Sequence, residues 1–500
     1  MDKIDPNNRS RRSKPSDHDE KQNLKYSPHA FDPVHHISTA APDLRPRLPT
    51  PLNQISSRRG SSRKEEKRPS PPRAEPAQPS PTLPIPERPV CLVRGSLYIE
   101  DYIQVSTLPI SGETVTSTAA TTTIGGKGAI QAVAISRAGQ RVELLGGIGR
   151  DGDFIPKFLS SLGVGTVRCR NPVGLPNDIS ILSGRKIVQY TPTGSNVSTI
   201  IPGANIYSLD PAKDAIVPPI THLLLQNEIE LRVTLEYIEM AHSRDIPVIL
   251  NLSPLPPDDA LRDFPWQRIS YLILTDNEAE TLVTTLKRLS GKKLPPSRPP
   301  PLCPDARLDA GLIPPIPKQP HATLSSLTHW PPLAQTGIII SSSEEGGGAV
   351  AVFPAACSPG AQIFYHPAAP HNLASPSRGK AEHSGSVDTI AGYFVAGLME
   401  FALFDRWKLD DVAWHRILEK AVIASSMTHV SFPPLDTLPI NSIPHFHEVH
   451  EAMERVQNFY KRELELAAPA SSHHPSPSTS KRRSVPMDKS GSSTSHKIRQ

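Results

Sequence analysis

Short apolar runs alternate with segments of helical periodicity through the middle of this chain. The runs are apolar throughout rather than alternating, which is typical of strands buried on both faces of a sheet. Segments between them, such as 229–244, repeat apolar residues every three or four positions and predict amphipathic helices. The repeated strand-helix order predicts a doubly wound α/β fold. Predicted strands lie in 89–105, 142–147, 221–226, 247–251, 269–274, 336–341 and 349–354, and predicted helices in 129–138, 154–162, 229–244, from 277, 392–404 and 412–430.

The composition divides the chain into a middle and two tails. The 500 residues include 56 prolines, more than twice the usual fraction of about 5%. Proline lacks an amide donor and fixes φ, so this many cannot all lie inside helices and strands. Residues 1–88 and 468–500 have few aromatic residues and predict disordered basic tails. Residues 89–467 form the predicted domain, interrupted by a proline-rich insertion loop at 290–333.

The net charge of +5 comes from the tails. Residues 1–88 hold six more basic than acidic side chains and residues 468–500 hold five more, which leaves 89–467 with a net charge of −6. This balance argues against a nucleic-acid partner of the middle domain. The basic, serine-rich run at 58–73 could be a nuclear localisation signal, a nucleic-acid arm, a phosphorylated linker or simply a solvated tail.

No apolar run is long enough to cross a bilayer, and the first residues lack the apolar stretch of a signal peptide. We therefore expect no membrane partner and a cytoplasmic protein, with a nuclear location open through the basic tails.

The most informative short motif is the turn Gly125-Gly126-Lys127-Gly128, which opens a helix of small residues. Glycines before a helix let backbone amides approach an oxygen-rich ligand, and Lys127 adds a charge. A tight strand-to-helix turn without a ligand explains the same glycines equally well. The motif is not a Walker P-loop, because GxxxxGK[ST] is absent.

Several further motifs surround this turn in order. They are GSLYIED at 95–101, PISGETV at 109–115, GGKGAIQAVAISRAG at 125–139, GGIGRDGDF at 146–154, PGAN at 202–205, LLLQNEIE at 223–230, NLSP at 251–254, TDNEAE at 275–280 and DTIAGYFVAGL at 388–398. Together they resemble the ribokinase-like carbohydrate kinases of the PfkB family, and ribokinases in particular. The resemblance covers most of residues 90–460 except the insertion.

This resemblance implies a fold, a reaction and its partners. The fold is a three-layer α/β/α sandwich with a small β-sheet lid built from segments around 99–124 and 179–201. The reaction is ATP-dependent phosphorylation of a sugar hydroxyl, with D-ribose to ribose 5-phosphate as the family default. The implied partners are the sugar, ATP, Mg²⁺ and K⁺, and by analogy a second copy of the chain bound through the lid.

The resemblance also assigns site residues. The sugar contacts carry over to Gly125, Gly126 and Lys127, with Glu100 in the place of a family Asp. The implied nucleotide site is Asn277, Glu280, Ser341 and Gly346, where Glu280 organises Mg²⁺ through water; the implied monovalent-cation site is Asp388 and Ser442. Without the family context, Asn277 is interpreted as a helix N-cap and Glu280 as a first-turn acid.

The motif around Asp388 departs from the family form DTTGAGDTF. Here the chain reads Gly385-Ser386-Val387-Asp388-Thr389, with one Asp-Thr pair and no GAG turn. Asp388 is therefore either the catalytic base or the first Asp of the motif, which belongs to the cation site. A missing anion hole costs about 10²–10³ in rate and a missing base about 10²–10⁴. The alternative hypothesis is a catalytically impaired relative, or a gene model that lacks a short segment, which binds a ligand or a partner.

Three polar sugar contacts of the family are also altered. Tyr98 and Ile130 each stand where the family has Asn, and Ser195 stands in place of an acidic residue. A buried hydroxyl without a partner costs roughly 1–3 kcal/mol. D-ribose is therefore the family default and does not follow from these residues.

Overall fold

The structure is a computed structural model that describes residues 88–173, 181–193, 195–207, 209, 214–291, 300–342, 348–353, 362–374, 386–401, 409–428 and 439–467. All of them belong to one compact unit, Thr82–Gln500. The predictions of disorder for the two tails concern residues outside this set, except Arg88 at its edge. The predicted nucleotide contact of Gly346 also lies outside the described residues.

Thirteen strands and twelve α-helices are found in the described residues. The strands are β1 (Val90–Arg94), β2 (Tyr98–Val105), β3 (Ser117–Gly125), β4 (Arg141–Gly147), β5 (Gly165–Arg170), β6 (Gly184–Tyr190), β7 (Asn196–Ile201), β8 (Ile220–Gln226), β9 (Val248–Asn251), β10 (Tyr271–Thr275), β11 (Gly337–Ser341), β12 (Ala349–Phe353) and β13 (Gln362–His366). The helices are α1 (Lys127–Arg137), α2 (Ile155–Ser161), α3 (Leu231–His242), α4 (Asp258–Arg262), α5 (Asp276–Ser290), α6 (Ala306–Asp309), α7 (Lys318–Thr328), α8 (His371–Ala374), α9 (Ser386–Phe401), α10 (Asp411–Met427), α11 (Pro439–Ser442) and α12 (Phe446–Ala467).

Nine strands form one large sheet in the order β13-β12-β11-β10-β9-β8-β1-β4-β5. The seven strands from β11 to β5 are parallel, and β12 and β13 add an antiparallel edge. All five residues of β1, of β11 and of β12 are buried, as the uniformly apolar runs predict. The carboxyl ends of the parallel strands form one edge, where ligands bind in sheets of this kind.

A second sheet of four strands has the order β3-β2-β6-β7. Its strands come from the two segments predicted for the lid. Residues 95–97 join β1 of the large sheet to β2 of the small one, and the GGKG turn joins β3 to α1. The small sheet therefore follows the carboxyl end of β1. Its outer strand β7 is exposed at all six residues.

Helices pack in two groups that cover the large sheet. α9 contacts both α1 and α10, and α10 contacts α12, which makes one continuous group. α5 contacts α4 and α7, and α7 also packs against β11 and β12. The predicted α/β fold with a small second sheet is therefore confirmed. In the described residues no helix has both the length and the apolar character needed to cross a membrane.

The segment predicted as an insertion loop at 290–333 differs from that prediction. Its described part contains α6 and α7, and Leu324 and Leu327 of α7 are buried. Each buried leucine stabilises the helix by about 1.5–3 kcal/mol, while the prolines lie where helices tolerate them. Pro317 is the N-cap of α7 and Pro320 lies in its first turn.

Candidate active site

The glycines of the GGKG turn are required by the backbone. Gly126, the N-cap of α1, has a φ of 94°, a left-handed conformation that favours glycine. A Cβ atom at Gly125 would lie 2.2 Å from the carboxyl carbon of Glu100. Only glycine therefore fits at Gly125, directly against the Glu100 side chain.

Glu100, on strand β2 of the small sheet, hydrogen-bonds to this turn. Its Oε1 accepts a hydrogen bond from the Gly126 amide at 3.2 Å, and its Oε2 accepts one from the Tyr102 hydroxyl at 2.9 Å. The side chain is 2% exposed. Both carboxylate oxygens thus pair with buried protein donors, and the sugar contact of Glu100 stays a prediction.

A second carboxylate, Glu228, lies at the start of α1. Its Oε2 accepts hydrogen bonds from the Lys127 amide at 3.0 Å and from the Ser96 hydroxyl at 2.5 Å. An acid at a helix N-terminus is stabilised by the helix dipole. Burial nevertheless raises the pKa of Glu228 above its ordinary value, against the lowering effects of Lys127 and of the two hydrogen bonds.

Asp388 meets Lys127 where α9 crosses α1. Asp388 is the third residue of α9 and 6% exposed, and its Oδ1 lies 3.7 Å from Lys127 Nζ. Burial lowers the pKa of Lys127, but nearby carboxylates, Asp388 first among them, raise it by more, so the pKa lies above its ordinary value. The ammonium group is therefore held in its charged form beside the carboxylate.

The close approach of the two helices depends on Gly392, one turn after Asp388 in α9. A Cβ atom there would lie 2.4 Å from Ala134 Cβ and 2.9 Å from the Gln131 carbonyl oxygen. The absence of a side chain lets the helix backbones nearly touch. This contact carries Asp388 to the first turn of α1.

Three buried amide side chains extend from Asp388 toward the large sheet. Gln131 Nε2 donates to Asp388 Oδ1 at 2.8 Å and to Asn251 Oδ1 at 3.1 Å. Gln226 Nε2 donates to Gln131 Oε1 at 2.6 Å. Gln226 and Asn251 are the last residues of β8 and β9, so the carboxyl edge of the sheet is joined directly to Asp388.

The first turn of α5 corrects one sequence assignment. Thr275 caps the helix: its Oγ1 accepts from the Glu278 amide at 3.2 Å, and its own amide donates to Glu278 Oε2 at 2.9 Å. The interpretation of Asn277 as the N-cap is therefore wrong, because the capping box begins two residues earlier. Asn277 is the second residue of the helix and is exposed.

Glu280 is the fifth residue of α5 and lies just after its first turn. Its carboxylate is exposed and accepts a hydrogen bond from Gln319 of α7. Glu278 instead acts electrostatically on Lys127 and helps to raise its pKa. The nucleotide contact of Asn277 and the magnesium role of Glu280 stay predictions.

Two further predicted site residues are buried. Ser341 ends β11 and pairs in register with Thr275 at the end of β10, so both lie at the carboxyl edge. Ser442 lies in α11, which contacts α1 and β3, and Arg137 Nη1 donates to the neighbouring Asn441 carbonyl at 3.1 Å. The nucleotide contact of Ser341 and the cation contact of Ser442 stay predictions.

The described residues thus bring together a carboxylate, an ammonium group and buried amides at the edge where parallel strands end. This arrangement can accept a proton from a hydroxyl group while it holds positive charge beside it. Sequence reasoning missed five contributors, although each had a signal. The motifs GGKGAIQ, LLLQNEIE and NLSP contain Gln131, Gln226, Glu228 and Asn251, and TDNE contains the capping box of Glu278.

Residues 91–292 match the model of the pfkB family carbohydrate kinases. A ribokinase of Bacillus subtilis (strain 168) is 29% identical over 204 residues, which cover 40% of this chain and 66% of the relative. A ribokinase of Arabidopsis thaliana is 30% identical over 213 residues, 41% of this chain and 52% of the relative. These sequence matches therefore span less than two thirds of each relative.

The structural match is longer. The crystal structure of a ribokinase from Cryptococcus neoformans var. grubii serotype A, in complex with ADP, superposes with a TM-score of 0.56 at 29% identity. The match covers 73% of this chain and 99% of that protein. The structural match therefore covers a larger share of the chain than residues 91–292 do.

Proposed function

We propose that this chain, whose residues 91–292 match the model of the pfkB family carbohydrate kinases, transfers the γ-phosphoryl group of ATP to a sugar hydroxyl. The observation that carries the proposal is the meeting of Asp388 with Lys127 at the N-terminal ends of α9 and α1. The GGKG turn is where the resemblance places the sugar, and a carboxylate beside it can act as a general base toward a sugar hydroxyl. This supports the interpretation of Asp388 as the base rather than as a cation ligand.

Different residues of the chain have different roles in the proposed reaction. Asp388 accepts the proton of the attacking hydroxyl, and Lys127 keeps its positive charge because the surrounding carboxylates raise its pKa. That charge stabilises the negative charge that builds up on the phosphoryl oxygens. Gly126 and Glu100 hold the turn in place so that Lys127 reaches Asp388.

ATP with Mg²⁺ supplies the phosphoryl group, and the described residues fit part of its site. Thr275 and Ser341 end neighbouring strands at the carboxyl edge, and Glu278 is the acid of the adjacent helix turn. Within the described ranges, no group of three or more His, Cys, Asp or Glu side chains could hold a metal ion. Mg²⁺ in kinases keeps several waters and is held largely by the substrate phosphates, so such a group is not required.

We propose D-ribose as the first acceptor to test, because the sequence relatives and the structural neighbour are ribokinases. Tyr98 and Ile130 stand where the resemblance places polar contacts, and both are buried. Related pentoses and nucleosides therefore belong in the same screen. A dependence on K⁺ is part of the proposal through Ser442.

The test is a coupled assay of ADP formation with each acceptor, with and without K⁺, on wild-type chain and on Asp388→Asn. The variant should lose about 10²–10⁴ in kcat, while its Kd for ADP changes little, because Asp388 serves the acceptor. Asp259→Asn, at an exposed position on α4, is the matched control and should keep the wild-type rate. A well-folded wild-type chain that turns over no acceptor would refute the proposal.

A second candidate is a ligand-binding protein with impaired catalysis. The observation that favours it is the pair Ser386 and Val387 before Asp388, where the resemblance places a glycine turn. Sequencing the transcript across codons 380–395 separates the two candidates. Additional glycine codons there support the kinase, whereas a confirmed short transcript, together with ADP binding but no turnover, supports the binding protein.

We also propose that two copies associate through the lid. Strand β7 is an exposed edge, and Val197, Ile200 and Ile201 on it are each about half exposed. An unpaired edge with apolar side chains favours pairing with another chain. Sedimentation equilibrium of wild type and of Val197→Lys tests this: the wild type should be a dimer, and the variant should dissociate more readily.

A further inference from the structure

We propose that Gln131 is a positioning residue that fixes the carboxylate of Asp388 for phosphoryl transfer. The inference rests on the proposed kinase function, because it assigns Asp388 the part of the base. It adds to that function a residue on α1 which touches neither substrate in the mechanism above. Gln131 lies one helical turn after Lys127, so both side chains project from the same face of α1 toward Asp388.

The orientation of the Gln131 amide is set from the sheet. Asn251 Nδ2 donates to the Ile273 carbonyl oxygen at 3.2 Å, and a carbonyl can only accept. Asn251 therefore turns its Oδ1 toward Gln131, which must present its amino group. The two hydrogens of Gln131 Nε2 then match two acceptors, Asn251 Oδ1 at 3.1 Å and Asp388 Oδ1 at 2.8 Å.

The other end of the Gln131 amide also has a partner. Gln226 Nε2 donates to Gln131 Oε1 at 2.6 Å, while Gln226 Oε1 is buried without a partner, so the orientation of Gln131 is set by Asn251. Gln131, Gln226 and Asn251 are each 0% exposed, and water cannot replace a lost partner there without a cavity. The Ile273 carbonyl therefore sets the orientation of the Asn251 amide, and Asn251 sets that of Gln131. As a result Gln131 presents an N–H donor to Asp388.

This donor selects one oxygen of the carboxylate. Gln131 Nε2 and Lys127 Nζ both contact Oδ1, at 2.8 and 3.7 Å. Oδ2 is the oxygen that neither of these residues holds. Gln131 thus fixes the rotation of the Asp388 carboxylate so that Oδ2 is the atom offered to an acceptor hydroxyl.

The test compares two variants of similar size. Gln131→Met removes the amide, and Gln131→Glu keeps an acceptor for Gln226 but loses both donated hydrogen bonds. Both variants should lower kcat about 10- to 100-fold, since a misplacement of about 1 Å can cost that much, while the KM of the sugar stays within about threefold of wild type. Gln362→Leu is the matched control: Gln362 Oε1 is buried without a partner on β13, away from these amides, so its removal should leave kcat and KM unchanged.

A double-mutant cycle separates positioning from general stabilisation. In an Asp388→Asn background, Gln131→Met should lower the residual kcat by less than about twofold, because the two residues act as one unit. Additive losses of kcat would overturn the proposal. So would an active wild type in which Gln131→Met and Gln131→Glu change KM alone or change neither parameter.

The contact itself is tested without turnover, through the unfolding equilibrium in urea. Gln131→Met should raise the unfolding constant at least about tenfold more in the wild type than in an Asp388→Ala background. If the wild type phosphorylates nothing but this coupling is present, the kinase function fails and the contact stands. If the coupling is absent, the inference on Gln131 fails whether or not the chain is a kinase.

Discussion

Replacing Gly392 with alanine should separate activity from stability in this fold. Gly392 lies on α9 at the crossing with α1, one turn after Asp388. An added Cβ atom would lie 2.4 Å from Ala134 Cβ and 2.9 Å from the Gln131 carbonyl oxygen. Carbon atoms in contact prefer about 3.5–4.0 Å. The substitution must therefore push the helices apart by about 1 Å or more at this point.

The two consequences differ in size. Overpacking costs about 1–3 kcal/mol, but alanine in place of a helix-interior glycine returns about 1 kcal/mol. The free energy of unfolding should therefore fall by only about 0–2 kcal/mol. A displacement of about 1 Å between Asp388 and the acceptor can cost about 10²-fold in rate. Activity should thus fall far more than stability.

Steady-state kinetics with the acceptor that the coupled assay identifies, and urea unfolding of the same samples, measure both effects. Gly397→Ala is the matched control, since it makes the same change on the same helix. There the added Cβ would lie 2.8 Å from the Ile417 Cγ2 methyl on α10, on another side of the helix from α1. This control should lose comparable stability and keep kcat within about threefold of wild type.

Two results would refute this reasoning. The first is a Gly392→Ala variant with wild-type kcat, which would mean that the separation of α1 and α9 does not control the site. The second is an equal loss of kcat in Gly397→Ala, which would trace the effect to general loosening of α9.

Three further outcomes are expected from the pKa shifts and the helix cap. Burial raises the pKa of Glu228, so the folded chain loses stability as pH rises and this carboxyl group ionises. Glu228→Gln, which stays neutral, should therefore have a higher urea midpoint than wild type at pH 8, and the difference between the two midpoints should vanish toward pH 4. Burial holds the pKa of His366 well below 6.5, and its ring hydrogen-bonds to His415 at 3.1 Å. Below pH 6.5 the unfolded chain therefore binds more protons than the folded chain, and the free energy of unfolding should fall by up to about 1.4 kcal/mol per pH unit for this group. His366→Leu should remove that part of the pH dependence in urea titrations from pH 7 to 5. Glu278→Ala should cost about 1 kcal/mol by opening the capping box, whereas Glu280→Ala should stay within about 0.5 kcal/mol of wild type in chemical denaturation; equal costs would contradict the reassignment.

The elements themselves could largely be predicted from local pattern. The helices at α1, α3 and α10 and the strands β8 to β12 lie within a few residues of their predicted bounds, because burial on both faces produces apolar runs that are visible without a structure. α7 was missed because prolines at its start made the segment resemble a loop. The capping box at Thr275 was a local signal that could have been used.

The sequence alone determined the class of fold, the position of the glycine turn and the order of the motifs that match carbohydrate kinases, since each depends on residues close together in the chain. The tertiary structure decided which of these residues meet. Gln131 and Asp388 are separated by 257 positions, and Glu228 reaches the start of α1 from 101 positions away. No spacing along the chain encodes such contacts, because they depend on how closely α9 packs on α1 and on where parallel strands end. The same packing placed Asp388 beside Lys127 and the Glu100 carboxylate against the Gly126 amide.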